Sequence, residues 1–308
     1  MRRLIVLLLV TMSLAGAGHA EKRDYIELAQ RGWGYELRST MVGRDMAMPV
    51  HINGRDLAGA SLCLVGEPPH PQTLAILNAF RALLKHSFGY PAPMRYAGQA
   101  ARNCGTGRTV VLRLYSGYPP NREVSLDLDW LSEIHQLGLP RGRSYIVTSP
   151  AMAQTFFGRR GQGTHIVVKQ PAHGRPNLLE TAFHKSILIE ELFQSYTFGM
   201  DILLYDKAAG YLSKLQETPV NLHRFQWSSH DFMRALLNSN PEGLCAFDVF
   251  MLHAVAQAPV DQTIEPGFID YIDRQYDHLW AQTDSTLADP QFSVLLDEGC
   301  AKSIQVQR

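Results

Sequence analysis

The sequence predicts an α+β fold: a small mixed sheet, then a long helix, then a mostly helical C-terminal half. Three observations predict it. Short β-branched and apolar runs, at residues 109–115, 145–148 and 165–168, all lie before residue 176. After residue 176, apolar side chains recur at helical spacing instead. Strands first and helices second argue for α+β rather than alternating α/β. Hydrophobic residues make up 45% of the chain and charged residues 19%, enough apolar content for a packed core and too much for a disordered chain.

The elements follow in order. Arg2 and Arg3 precede an apolar run over residues 4–14, and small residues lead to Gly18-His19-Ala20. This pattern predicts a secretory signal peptide over residues 1–20, cleaved near Ala20. The run falls short of the ~20 apolar residues a membrane span needs. Residues 21–70 read as an irregular lead-in with at most one strand. Pro68-Pro69-His70-Pro71 breaks the chain, and Leu74, Leu77, Phe80, Leu83 and Leu84 then recur as on a helix closed by Gly89. Residues 90–107 read as loop. The three strands follow, with Gly158, Gly161 and Gly163 before the last. Helices are expected over 178–196, over 229–237 with Ser229 as N-cap, over 247–258 and over 268–282.

Charge excludes some functions. Cleavage would remove Arg2 and Arg3 but no acid, taking 29 basic against 29 acidic side chains to 27 against 29. A nucleic-acid partner is therefore not expected, and neither is a polybasic attachment to membranes or stable membrane insertion after cleavage. Protein partners stay unknown. Export predicts an oxidising compartment, periplasmic or extracellular, and the four cysteines suit two disulfides. Three pairings are possible. Cys63–Cys104 and Cys245–Cys300 are favoured because each lies within one half of the chain and closes a moderate loop.

The chemistry concentrates in residues 184–201. Glu190 and Gln194 stand i,i+4 on the expected helix, with Glu191 between them. A zinc hydrolase arranges H-E-x-x-H in this way, with two histidines on the metal and the glutamate acting on its water. Here the ligand positions hold Glu190 and Gln194, and Glu191 takes the general-base position. A carboxamide is a poor zinc ligand. Glu190, Gln194 and Asp201 would suit a hard, oxygen-preferring divalent ion better, if any metal binds. His184, two turns before Glu191, is a candidate pocket residue.

These residues resemble the secreted domain-of-unknown-function family 2927, itself distantly zincin-like. Glu190, Glu191, Gln194 and Asp201 match its Glu-Glu-x-x-Gln stretch and following Asn-Asp in spacing. Thr197 stands where the family usually has Gly, and Met200 where it usually has Asn. Leu244-Cys245-Ala246-Phe247-Asp248 is similar to the family's Leu-Thr-Pro-Phe-Asp. The resemblance covers about residues 160–258 and implies a zincin-like α+β domain over residues 71–308.

Other residues carry weaker signals. His223, His230 and His253 follow the helix, and nothing in their spacing selects a third ligand. Asp248 reads as an N-cap, and Tyr196, Tyr205 and Tyr211 as packing aromatics. The glycines at 158–163 lack the Lys-Ser/Thr ending of a phosphate loop. The expected function is a secreted, zincin-like, metalloprotease-like protein that has lost its zinc chemistry and serves binding or structure, with no cofactor. Two alternatives remain: a metal-dependent hydrolase of peptidase type using Glu191, and a cell-envelope interaction module.

Overall fold

The computed structural model describes residues 22–35, 51–57, 60–172, 174–205 and 210–301. The expected signal peptide lies outside the described residues. Helix α1 spans residues 22–33, followed by β1 (Ser61–Gly66), α2 (Pro71–Phe88), β2 (Met94–Tyr96) and β3 (Thr109–Tyr115). Next come α3 (Asn121–His135), β4 (Ala151–Gly158) and β5 (Gly161–Lys169). The second half holds α4 (Leu178–Thr197), β6 (Ile202–Leu203), β7 (Gln216–Glu217), α5 (His230–Leu237), α6 (Ala246–Gln257) and α7 (Pro266–Leu287).

The main sheet has the order β2-β1-β3-β5-β4. β2, β1, β3 and β5 pair in parallel, and β4 pairs antiparallel to β5 at the edge. The sheet is thus mixed and wholly precedes α4, as the sequence predicts. β1 and β3 are near-continuous apolar runs because both sheet faces are covered. Leu62, Leu64, Val110, Leu112, Leu114, Ile166 and Val168 face the larger core, which they share with α1, α2, α4, α6 and α7. Their alternating neighbours Cys63, Val65, Val111, Tyr115 and Val167 face a smaller core under α3. That alternation is the period-2 signature of a strand.

Several expectations need correction. Residues 22–33 are helical rather than irregular, and this helix buries Trp33 and Tyr25 in the larger core. Tyr25 meets Phe247 and Phe250 of α6 edge-on, each at 5.0 Å between ring centroids. Residues 145–148 form no strand. The Tyr145 N–H donates to Ser125 Oγ (2.9 Å) and the Val147 N–H to Asn121 Oδ1 (2.8 Å). Side chains of α3 thus take the donors a ladder would use, and β4 fills the sheet edge instead. Asp248 is not the N-cap of α6: Cys245 is, and Asp248 closes a capping box from the third position. Both favoured disulfides, Cys63–Cys104 and Cys245–Cys300, are present.

Candidate functional site

Helix α4 carries the site, and its ends are well defined. Asn177 and Glu180 form a capping box at its start. Phe198 ends it in the left-handed region at φ 58°, its N–H donating to Gln194 O. Gly199 then has no room for a side chain, since a Cβ would lie 2.5 Å from Leu215 and 2.7 Å from the Trp33 ring. This close approach turns the chain so that Asp201 returns to Gln194, whose Nε2 donates to Asp201 Oδ1.

Ser186, Glu190 and Gln194 follow one another at i,i+4 and face the C-terminal half. Glu190 is held bidentately by Asn240 Nδ2, at 3.0 and 2.9 Å. The Lys214 ammonium, fully buried, lies 3.3 Å from Glu190 Oε2. It also donates to Ser186 Oγ (2.8 Å) and Pro241 O (2.6 Å). Lys214 is fixed in turn by Asp248 of α6. One Asp248 oxygen accepts the Lys214 N–H (2.7 Å) and the Cys245 N–H (2.7 Å), and the other accepts Ser213 Oγ (2.6 Å). Burial pushes Asp248 up to about 7, against three hydrogen bonds that favour the anion.

Glu191 points another way. It is buried and accepts the backbone N–H of Ala153 on the edge strand β4. Burial and then the negative fields of Glu190 and Asp201 push its carboxyl well above the usual range. Asp201 is pushed up to about 7 by burial, then by Glu190 and Glu217. Glu217 of β7 is raised by burial and by Glu190. Glu190, Glu191, Asp201 and Glu217 therefore share one region with Lys214, whose backbone N–H is held by a fifth carboxyl group, Asp248.

The structure brings Glu190, Glu191, Gln194 and Asp201 together and leaves His184 out. His184 Nδ1 donates to Lys169 O (3.0 Å), and Nε2 lies 2.8 Å from Thr73 Oγ1. Burial lowers it to about 4, so it is a neutral latch between α4, α2 and the end of β5. His253 bonds Thr286 (2.9 Å), while His223 and His230 are exposed. Among the described residues, no three His, Cys, Asp or Glu side chains are arranged to hold a metal ion. Tyr196 packs edge-on against Phe80, Tyr211 donates to Ser239 O (2.8 Å), and Tyr205 is exposed.

Sequence reasoning missed Lys214, Asn240 and Glu217. Lys214 had one readable signal, a lone cation between Leu212 and Leu215. A second buried network was also missed. Arg113 grips Asp127 through Nε (2.5 Å) and Nη2 (2.7 Å), and His165 Nε2 lies 3.0 Å from the same carboxylate. Burial opposes the Asp127 charge, yet the hydrogen bonds of His165 and Arg113 hold it below the usual carboxylate range. This triad pins α3 to the sheet inside the smaller core.

Comparison of the chain with protein-family models, with curated proteins and with solved structures finds no match. The two disulfides fit an oxidising compartment such as the periplasm or the cell exterior. Among the described residues, no helix is long and apolar enough to cross a membrane.

Proposed function

We propose that this is an exported, zincin-like binding protein without peptidase activity, in which Lys214 supplies the positive charge that a metal ion supplies in an H-E-x-x-H enzyme. One observation carries the reading: the buried Lys214 ammonium, 3.3 Å from Glu190. Glu190 occupies the first ligand position of the motif, and its oxygens are already committed to Lys214 and to Asn240. Gln194, at the second ligand position, is committed to Asp201. Glu191, buried and already accepting a strand N–H, is poorly placed to take a proton from water. The elemental metal content of the purified protein, with and without Glu190→Ala/Gln194→Ala, tests this. No bound metal and no peptide cleavage in either protein is the expected result. One equivalent of a single metal in the wild type, lost in the variant, would overturn it.

A different observation favours metal-dependent hydrolysis. The carboxyl groups of Glu190, Glu191, Asp201 and Glu217 outnumber the one lysine, and a divalent cation would relieve the repulsion that raises Glu191, Asp201 and Glu217. On that reading Glu190, Gln194 and Asp201 would hold the ion in place of the Lys214 contact, the ion would activate a water, and Glu191 would serve as the base.

A further inference from the structure

Away from the α4 cluster, the C-terminal end of α3 and the tip of the β4–β5 hairpin border an open cavity of 550 Å³. That volume is in the range of small-molecule sites, roughly 300–1,000 Å³. Its walls are tied down by backbone hydrogen bonds. The hairpin tip is fixed to the helix end by the N–H groups of Arg159 and Arg160, which donate to Gln136 O (3.4 Å) and His135 O (3.0 Å). Gly158 permits this approach, since a Cβ there would lie 2.1 Å from His135 O. On the other side, the 137–142 loop folds back onto α3. The Leu139 N–H donates to Ser132 Oγ (3.2 Å) and the Gly142 N–H to Asp129 Oδ1 (3.3 Å).

The charges on these walls are separated by sign. Asp129 and Glu133 stand i,i+4 on α3 and line the cavity from the helix. Arg141 and Arg159 line it from the loop and from the hairpin tip. Among the described residues, Asp129, Glu133 and Arg141 form no ion pair, although they border one space. An anion alone would leave the helix acids unmatched, and a cation alone would leave the arginine. A ligand bearing both signs a few bonds apart matches both walls at once. Leu137, Leu139 and Phe157 add an apolar lining for a side chain.

We infer that this cavity binds a small zwitterion of the α-amino acid or short-peptide class, with its carboxylate on Arg141 and its ammonium on Asp129 and Glu133. Guanidinium groups suit a carboxylate because they donate two parallel hydrogen bonds. The site is separate from the α4 cluster, and the inference does not depend on the function proposed for that cluster.

The test is calorimetric titration of the purified protein with leucyl-glycine, with N-acetyl-leucyl-glycine and with leucyl-glycinamide. The expected result is saturable binding of leucyl-glycine with a dissociation constant below about 1 mM. Each blocked analogue should bind at least about tenfold more weakly, because each lacks one of the two charges. Arg141→Ala and Glu133→Gln should weaken leucyl-glycine to a similar degree. Both positions are exposed, so circular dichroism should report an intact fold. Absence of saturable leucyl-glycine binding, equal binding of the blocked analogues, or unchanged affinity in both variants would each overturn the inference.

Discussion

Lys214 is fully buried and has three oxygen partners, so removing it should be costly for a defined reason. Lys214→Met leaves Glu190 with Asn240 alone and no counter-charge, and breaking such a buried pair costs about 3 kcal/mol or more. Urea denaturation should show that loss, and adding Glu190→Gln should recover most of it, because the stranded charge then disappears. A double variant no more stable than Lys214→Met would mean the ammonium acts mainly through Ser186 and Pro241. Asp201 gives a pH signature. Its folded-state value of about 7 exceeds the ordinary 3.8, so between those values the folded chain holds a proton that the unfolded chain has released. Stability from this group therefore falls as pH rises through that window. Asp201→Asn, which keeps an acceptor for Gln194, should gain stability over the wild type at pH 8 and little at pH 4.

At the scale of elements, α6 is buried from Ala246 to Val255 and carries two titrating groups there, Asp248 in its first turn and His253. Thr286 Oγ1 donates to Gln282 O, so His253 Nε2 must donate to Thr286, and its Nδ1 has no partner. A proton added at Nδ1 would meet no acceptor. Burial, then His86 and His278, lower His253 to about 4, and burial lowers His184 of α4 likewise. Between their ordinary 6.5 and about 4 the unfolded chain binds protons that the folded chain refuses. Stability is thus lost as pH falls through that window, up to about 3 kcal/mol for each ring. Against the wild type, His253→Asn should therefore improve by about that amount between pH 7.5 and pH 4 in chemical denaturation. A pH-independent difference would sink this account.

The same elements show what a sequence reveals. Helix α4 was legible because Phe183, Ile187, Leu188 and Leu192 repeat at helical spacing without Gly or Pro. β3 was legible because it is buried on both faces. β4 was not: it is an edge strand of mostly half-buried residues, so no alternation stands out, while residues 145–148 look more strand-like and lie outside the sheet. Helix α1 was hidden by Gly32 and Gly34 near its end. Within the site, Glu190, Glu191 and Gln194 share one turn of sequence and were readable as a unit. Asn240 and Lys214 come from segments 50 and 24 residues away, joined to Glu190 only by folding, and no spacing rule reaches that far.

At the scale of the whole molecule, each disulfide serves a different region. Cys63–Cys104 ties β1 to the segment before β3 in the smaller core, and Cys245–Cys300 ties the start of α6 to the C-terminal segment. They close loops of 41 and 55 residues, and chain entropy assigns each about 4 kcal/mol. Thermal melting with and without a thiol reductant should show a large drop in Tm. Cys245→Ser/Cys300→Ser should also loosen the α6 end, where the Cys245 N–H and the Lys214 N–H share Asp248. The smaller core should survive that variant with its own bridge intact.

The pairing of first cysteine with second and third with fourth also bears on biogenesis. On the proposed export route, a chain threaded through a membrane N-terminus first would expose Cys63 and Cys104 well before Cys245, so a thiol oxidase acting on each pair as it emerged would make the native bonds directly. Mispaired species need not arise, and maturation should require an oxidase and proceed at nearly full yield in cells lacking a disulfide isomerase.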